Sequence, residues 1–98
     1  MREYFVHMMS NHSGGIYIGV TSDLYQRVYQ HKHDIIPGFT SKYRMHRLVF
    51  YESFGHIGDA LGREKQLKGW RRSKKIELIE RENPARLDLS SSWYIDTI

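Results

Sequence analysis

Two extended segments joined by six polar residues constrain this chain more than any other feature. Tyr4 to Met9 (YFVHMM) is aromatic and bulky, Ile16 to Val20 alternates β-branched residues with others, and Ser10-Asn11-His12-Ser13-Gly14-Gly15 lies between them. This is the pattern of a β-hairpin. In its second strand Ile16, Ile18 and Val20 share one face, and Tyr17, Gly19 and Thr21 share the other. The isoleucine face is the expected core, so Tyr17 points towards whatever the opposite face serves. Gly19, beside it, removes a side chain where another group can approach closely. A turn centred near His12 would set His7 opposite Tyr17.

Helical signals follow. Thr21-Ser22-Asp23 marks a helix start with Ser22 as the N-cap, and the helix should run to about His31 or His33. Leu24 and Val28 form its apolar stripe. Arg27 and His31, four residues apart, stack on one face beside it, either converging on a ligand or forming an exposed basic edge. Residues from Asp34 to Arg47, with Pro37-Gly38, read as a surface loop. His46 to Phe54 is a third strand, ended by Gly55. A helix from Ile57 to Trp70 comes next, weakened by Gly58 and Gly62, each costing about 1 kcal/mol relative to alanine. Ser73 should cap a last helix, Lys74 to about Glu82, with Ile76 and Ile79 inward and Asn83-Pro84 ending it. The remainder, Arg86 to Ile98, is polar with a packed Trp93.

Glu64 interrupts the apolar stripe Ile57, Ala60, Leu61, Leu67, Trp70, three residues after Leu61 and three before Leu67. Burying an unpaired charge costs several kcal/mol, so Glu64 requires a cation, a basic partner or a wet cleft. An ion pair with Arg63, Lys65 or Lys68 would serve, as would a narrower stripe. Charge is unevenly distributed along the chain, which carries a net +4. Lys65, Lys68, Arg71, Arg72, Lys74 and Lys75 follow Glu64 directly, and Lys42, Arg44, His46 and Arg47 surround Tyr43. Such mixtures suit contact with phosphates and stacking on bases or sugars, and also suit a solvated helix face.

Ninety-eight residues make one domain with a modest core. The chain has no cysteine, which excludes disulfide scaffolds, zinc ribbons and thiol nucleophiles and leaves oxygen or imidazole as metal ligands. A hard ion, Mg²⁺ or Mn²⁺, fits best. With neither a membrane-length apolar run nor a leader pattern, a cytoplasmic protein without membrane contact is expected. Phosphodiester hydrolysis needs a base for the attacking water, a cation against the charge growing on the phosphate, and a Lewis acid near the leaving group. Tyr17, Arg27, His31 and Glu64 include those types. The scarcity of clustered carboxylates indicates one metal ion rather than two.

The ordered set Tyr17-Ile18-Gly19, Arg27 eight residues after Gly19, His31 four later and Glu64 in a distal helix resembles the GIY-YIG nuclease domain. More narrowly, IYIGVTSDLYQR from Ile16 to Arg27, then Gly38 to Tyr43, then REKQLKGWRR from Arg63 to Arg72 are similar to small stand-alone members related to the nuclease domain of bacterial excinuclease C. The match runs from Tyr4 to about Trp93. It implies an α/β (α+β) fold: a small central antiparallel sheet of about three strands flanked by helices, with residues 1–93 as the nuclease-like domain and 94–98 as a tail. It further implies that Tyr17 activates or positions the water, that Arg27 binds the scissile phosphate assisted by His31, and that Glu64 is the sole protein ligand of the metal. Asn83 is the candidate for an asparagine that contributes in some members, and is otherwise a helix stop.

One departure concerns the first motif, which in the family ends in tyrosine; here Phe5-Val6-His7 aligns His7 with it. Imidazole titrates near neutrality and can accept a proton, so the change preserves base chemistry or reduces activity. The expected function is metal-dependent endonucleolytic cleavage of DNA, with RNA as the other substrate. Lys42, Lys68, Arg71, Arg72, Lys74 and Lys75 would hold the backbone. The rival expectation is a nuclease-like module that binds nucleic acid without cutting. Cutting both strands with one site would require a dimer or two successive nicks.

Overall fold

The alternation in Tyr4 to Met9 sends residues to both faces of a strand, and both faces are covered. In the computed structural model, which describes residues 2–94, β1 (Tyr4–Ser10) is the middle strand of a three-stranded antiparallel sheet. Its neighbours are β2 (Ile16–Thr21) and β3 (Arg47–Phe54). The helices are α1 (Leu24–Lys32), α2 (Phe39–Lys42), α3 (Ile57–Lys68) and α4 (Arg72–Glu82). The expected sheet of about three strands flanked by helices is therefore what forms. Of the expected tail, residues 95–98 lie outside the described residues.

One face of the sheet presents Tyr4, Val6 and Met8 with Ile16, Ile18 and Val20 to Ala60 and Leu67 of α3 and Leu78 and Ile79 of α4. This is the expected isoleucine core. Full burial of each such aliphatic side chain contributes about 1.5–3 kcal/mol. The opposite face is also packed: Met9 and Leu48 meet Leu24 and Val28 of α1, with Phe5, Tyr17 and Trp93 at the margin. A register shift between Met8 and Met9 pairs Met8 with Phe50 and Met9 with Leu48. This bulge sends Val49 and Phe50 together into the first core while Leu48 enters the second.

Local chemistry moves several boundaries. Asp23, not Ser22, occupies the N-cap of α1, and its carboxylate accepts a hydrogen bond from the Gln26 amide at 3.0 Å. The expected loop contains α2, entered through Gly38 at φ 118. Helix α4 begins at Arg72 rather than Lys74 and has no side-chain cap. In α3, Ala60 and Leu67 are buried, whereas Ile57 and Leu61 are exposed, so the apolar stripe is narrower than its spacing suggests. Helix α3 nonetheless runs unbroken through Gly58 and Gly62, docked on β3 by Arg63, whose Nε and Nη2 donate to the Glu52 carboxylate at 2.9 and 3.2 Å.

The segment after α4 returns to the sheet and to α1. Asn83 is buried, and its amide donates to the carbonyls of Val49 at 3.1 Å and Leu87 at 2.9 Å while accepting from the Leu87 amide at 3.0 Å. Asp88 accepts from the Leu48 amide and pairs with Lys32 of α1. Trp93 and Tyr94 then pack on Tyr25. Asn83→Ala would leave two buried or half-buried carbonyls and one amide short of partners, and the expected loss is about 2–4 kcal/mol of unfolding free energy in urea titrations. A change below about 0.5 kcal/mol, the range of a neutral surface substitution, would show that this side chain does not join α4 to β3.

Candidate active site

Gly19 is where the sheet and the candidate site meet. The register pairs His7 with Gly19 and Met9 with Tyr17, so the expected pairing of His7 with Tyr17 is shifted by two residues. The loop accounts for the shift: the Asn11 carbonyl accepts from the Gly14 amide at 3.1 Å, and Asn11 Oδ1 accepts from the Gly15 amide at 2.7 Å, tightening the turn. His7 and Tyr17 are diagonal neighbours on one face, with ring centroids 6.3 Å apart. A methyl group at Gly19 would lie 2.9 Å from His7 Cε1 and 3.1 Å from Tyr17 Cε2. The group that approaches Gly19 is thus the chain's own imidazole.

His31 completes a three-ring cluster, 5.6 Å from His7 and 5.5 Å from Tyr17 between centroids. It projects from α1 onto the sheet one turn after Arg27. His7 is 0% and His31 1% exposed, while Tyr17 keeps partial exposure. All four imidazole nitrogens are buried without a protein hydrogen-bond partner among the described residues. Burial, then the neighbouring His31, then Arg27 lower the His7 pKa to about 3. Burial and then Arg27 lower that of His31 to about 4. Both rings are neutral at physiological pH.

Arg27 and Glu64 meet across the edge of β2. Both line a cleft of about 380 Å³ with Tyr4, Val20, Thr21, Ser22, Ile57 and Leu61. Glu64 therefore sits at the border of the α3 stripe, in a wet cleft, with its side chain 21% exposed. Among the described residues its one ion pair is with Lys68, at 3.5 Å, one of the partners its sequence neighbours offered. An ion pair with such an exposed lysine is worth about 0–1 kcal/mol. Among the described residues the Arg27 guanidinium has no ion pair or side-chain hydrogen bond. The structure thus yields two groups, the rings of His7, Tyr17 and His31 and the cleft of Arg27 and Glu64, linked by the field of Arg27 at both imidazoles.

Other expected residues are placed differently. Asn83 lies at the end of α4 with its amide committed to Val49 and Leu87, away from this cleft. Lys74 rests over the Trp70 ring at 4.2 Å, and Lys42 over Tyr43 at 5.5 Å. Arg71 and Arg72 are exposed, Lys75 is half-buried, and Lys68 stands beside Glu64. Two residues were missed. Tyr4 lines the Arg27–Glu64 cleft, and Phe39 stacks on Tyr17 with centroids 6.5 Å apart. Tyr4 carried no local signal because the cleft closes only when α3 docks on the sheet. Phe39 is exposed, and an exposed aromatic ring beside Tyr17 was its only available cue.

A family model described as the GIY-YIG catalytic domain matches residues 3–77. A UPF0213 protein of Staphylococcus aureus is 31% identical over 80 residues, covering 82% of this chain and 98% of its own length. One of Staphylococcus saprophyticus is 29% identical over 79 residues, covering 81% and 96%. The solution structure of the UPF0213 protein from Bacillus halodurans has the same fold, with a TM-score of 0.58, 24% identity, and coverage of 92% of this chain and 97% of that one.

The two buried imidazoles make stability depend on pH in one direction. Each has a folded pKa below its unfolded value near 6.5, so below that pH the unfolded chain binds protons that the native state refuses. Stability is full above about pH 6.5 and falls as pH drops towards 4, by on the order of a few kcal/mol for the pair. Urea midpoints measured between pH 7.5 and 4.5 should fall accordingly, and His7→Leu should flatten the curve. An unchanged slope in that variant would show that His7 is not held neutral by its pocket.

Proposed function

We propose that this chain, which belongs to the GIY-YIG catalytic-domain family, is an endonuclease that hydrolyses phosphodiester bonds in DNA with the help of one divalent metal ion. The observation that carries this reading is the shared cleft, in which Arg27, a cation with no ion pair among the described residues, faces the same space as a half-buried carboxylate, Glu64. A guanidinium left free in a cleft is suited to grip a phosphate through two parallel hydrogen bonds.

The donor set fits a hard, labile ion. Glu64 is the one carboxylate lining the cleft, and among the described residues no group of three His, Asp or Glu side chains could cage a metal. Mg²⁺ and Mn²⁺ suit such a site because they keep several waters and accept phosphate oxygens as ligands. Bound at Glu64, the ion would neutralise charge on the phosphate and stabilise the departing oxygen. Its arrival would displace only the weak Lys68 pair.

The chain's own groups do the rest. Arg27 holds the phosphate and offsets the charge that builds on its oxygens. Tyr17, the ring of the cluster that reaches solvent, orients the attacking water through its hydroxyl, and His31 steadies Tyr17 from behind. His7, buried beneath both, is a positioning residue. A phosphate paired with Arg27 also cancels part of the field that lowers the His31 pKa, which raises the basicity of that imidazole when substrate is bound. The low basicity of both imidazoles in the free protein favours the rival reading, a nuclease-like fold that grips nucleic acid without cutting. Lys68, Arg71, Arg72, Lys74, Lys75 and Lys42 would hold the backbone in either case.

Supercoiled plasmid incubated with the protein and Mg²⁺, Mn²⁺ or EDTA separates the two. Nicking is expected with either metal and none in EDTA. Arg27→Ala should slow it by about 10²–10³-fold, and Glu64→Ala should abolish it while leaving salt-sensitive binding in EDTA intact. Equal nicking by wild type and Glu64→Ala would remove Glu64 as the metal ligand, and retention of plasmid without nicking would select the rival.

A further inference from the structure

A second basic cleft lies at the other end of the β1–β2 hairpin. It measures about 340 Å³ and is lined by Asn11, His12 and Ser13 of the loop and by Tyr43, Arg44, His46 and Arg47. Two guanidiniums and two imidazoles line it, and one of the imidazoles, His46, is paired through Nε2 with Asp34 Oδ1 at 2.8 Å. Asn11 Nδ2 ties its two walls together by donating to the Tyr43 carbonyl at 2.7 Å, while Arg47 donates one guanidinium hydrogen to the Arg86 carbonyl outside the cleft at 2.5 Å. Arg72 reaches the same loop, with a guanidinium nitrogen 2.8 Å from where a Gly14 Cβ would stand.

Two features connect this cleft to the candidate active site. The first is a ladder of rings. Tyr17 stacks on Phe39, and Phe39 lies 4.6 Å from Tyr43, which lines the basic cleft. Phe39 is 55% and Tyr43 45% exposed, so both present ring surface to solvent between the two sites. The second is the turn that closes α2, in which the Arg44 amide donates to the Ser41 carbonyl at 3.3 Å and the Met45 amide to the Thr40 carbonyl at 3.0 Å. Arg44 has φ 54, a left-handed conformation that glycine or asparagine adopts more readily. The turn thus ends the helix that carries Phe39 and places Arg44 in the lining of the basic cleft.

We propose that this cleft is a second phosphate-binding subsite, holding the nucleic-acid backbone beyond the cleaved linkage, with Arg44 and Arg47 as its cations and Tyr43 as the ring against which the adjoining nucleotide rests. The proposal rests on the reading of nucleic acid as the ligand. Its volume lies at the lower end of those that accept small ligands, which suits one nucleotide unit. The position also gives direction to the bound strand: it runs from the Arg27–Glu64 cleft past Tyr17 and Phe39 to the hairpin tip.

Arg44→Gly tests this directly, because glycine suits the backbone there and removes only the side chain. Arg44→Asn serves as a second variant that also tolerates the conformation. Binding of a labelled DNA duplex is measured in EDTA between about 50 and 200 mM salt. Each variant should bind several-fold more weakly at the low end, with the slope of log K against log salt reduced by about 0.9, one phosphate contact. Unchanged affinity and slope in both would overturn the subsite while leaving the nuclease reading, tested by plasmid nicking, untouched. Conversely, reduced slopes with no nicking by wild type would uphold the subsite and sink the hydrolytic reading. Vesicles of anionic phospholipid form a third arm. Arg44-dependent binding to them, with duplex binding unaffected, would overturn the assignment to nucleic acid.

Discussion

The placement of two imidazoles in a buried pocket between α1 and the sheet governs the rest of this structure. His7 and His31 are buried with four nitrogens that find no protein partner among the described residues. Leaving a polar group so costs about 1–3 kcal/mol, more than a small core readily offsets without another constraint. The arrangement keeps both rings neutral, fixes Tyr17 against them, and requires glycine at position 19 because any larger residue would strike His7. It also sets the rotation of α1, since His31 facing the sheet turns Arg27, one helical turn earlier, towards the edge of β2.

The two layers of the fold divide the work. The face covered by α3 and α4 is the larger aliphatic core. The face covered by α1 carries the rings, and its core is closed by the segment after α4, through Asp88, Trp93 and Tyr94. The candidate site belongs to neither layer alone. Glu64 comes from the first, Arg27 from the second, and they meet where β2 has no further strand beside it. An edge strand has free space next to it, and here the helices on either side frame that space as a cleft.

Charge follows the same geometry. Lys68 stands by the Glu64 cleft, Arg72 to Lys75 begin α4 after the N-cap Arg71, and Arg72 reaches the hairpin loop, so the cations that cluster in the sequence extend from the one to the other. Several are already engaged: Trp70 lies between Arg63 and Lys74, and Lys68 pairs with Glu64. These contacts are weak enough to yield to a polyanion, which suits residues that exchange intramolecular for intermolecular partners.

Much was legible in the chain itself. Alternation in Ile16 to Val20, the stop signals at Gly55 and Asn83-Pro84, and the Tyr17-Ile18-Gly19, Arg27, His31, Glu64 order defined the sheet, most helices and the family, because each depends on geometry within a few residues or on a motif read whole. The register of His7 was not legible, since it turns on how the Asn11 side chain folds a six-residue loop. Nor was the exposure of Ile57 and Leu61, the engagement of Asn83, or the presence of Tyr4 in the cleft. Those depend on which surface each face meets, and that is set by contacts between residues dozens of positions apart. Local periodicity therefore determined the elements, and the motif read whole implied the candidate chemistry, while long-range packing alone decided which charges share a cleft and which rings are buried.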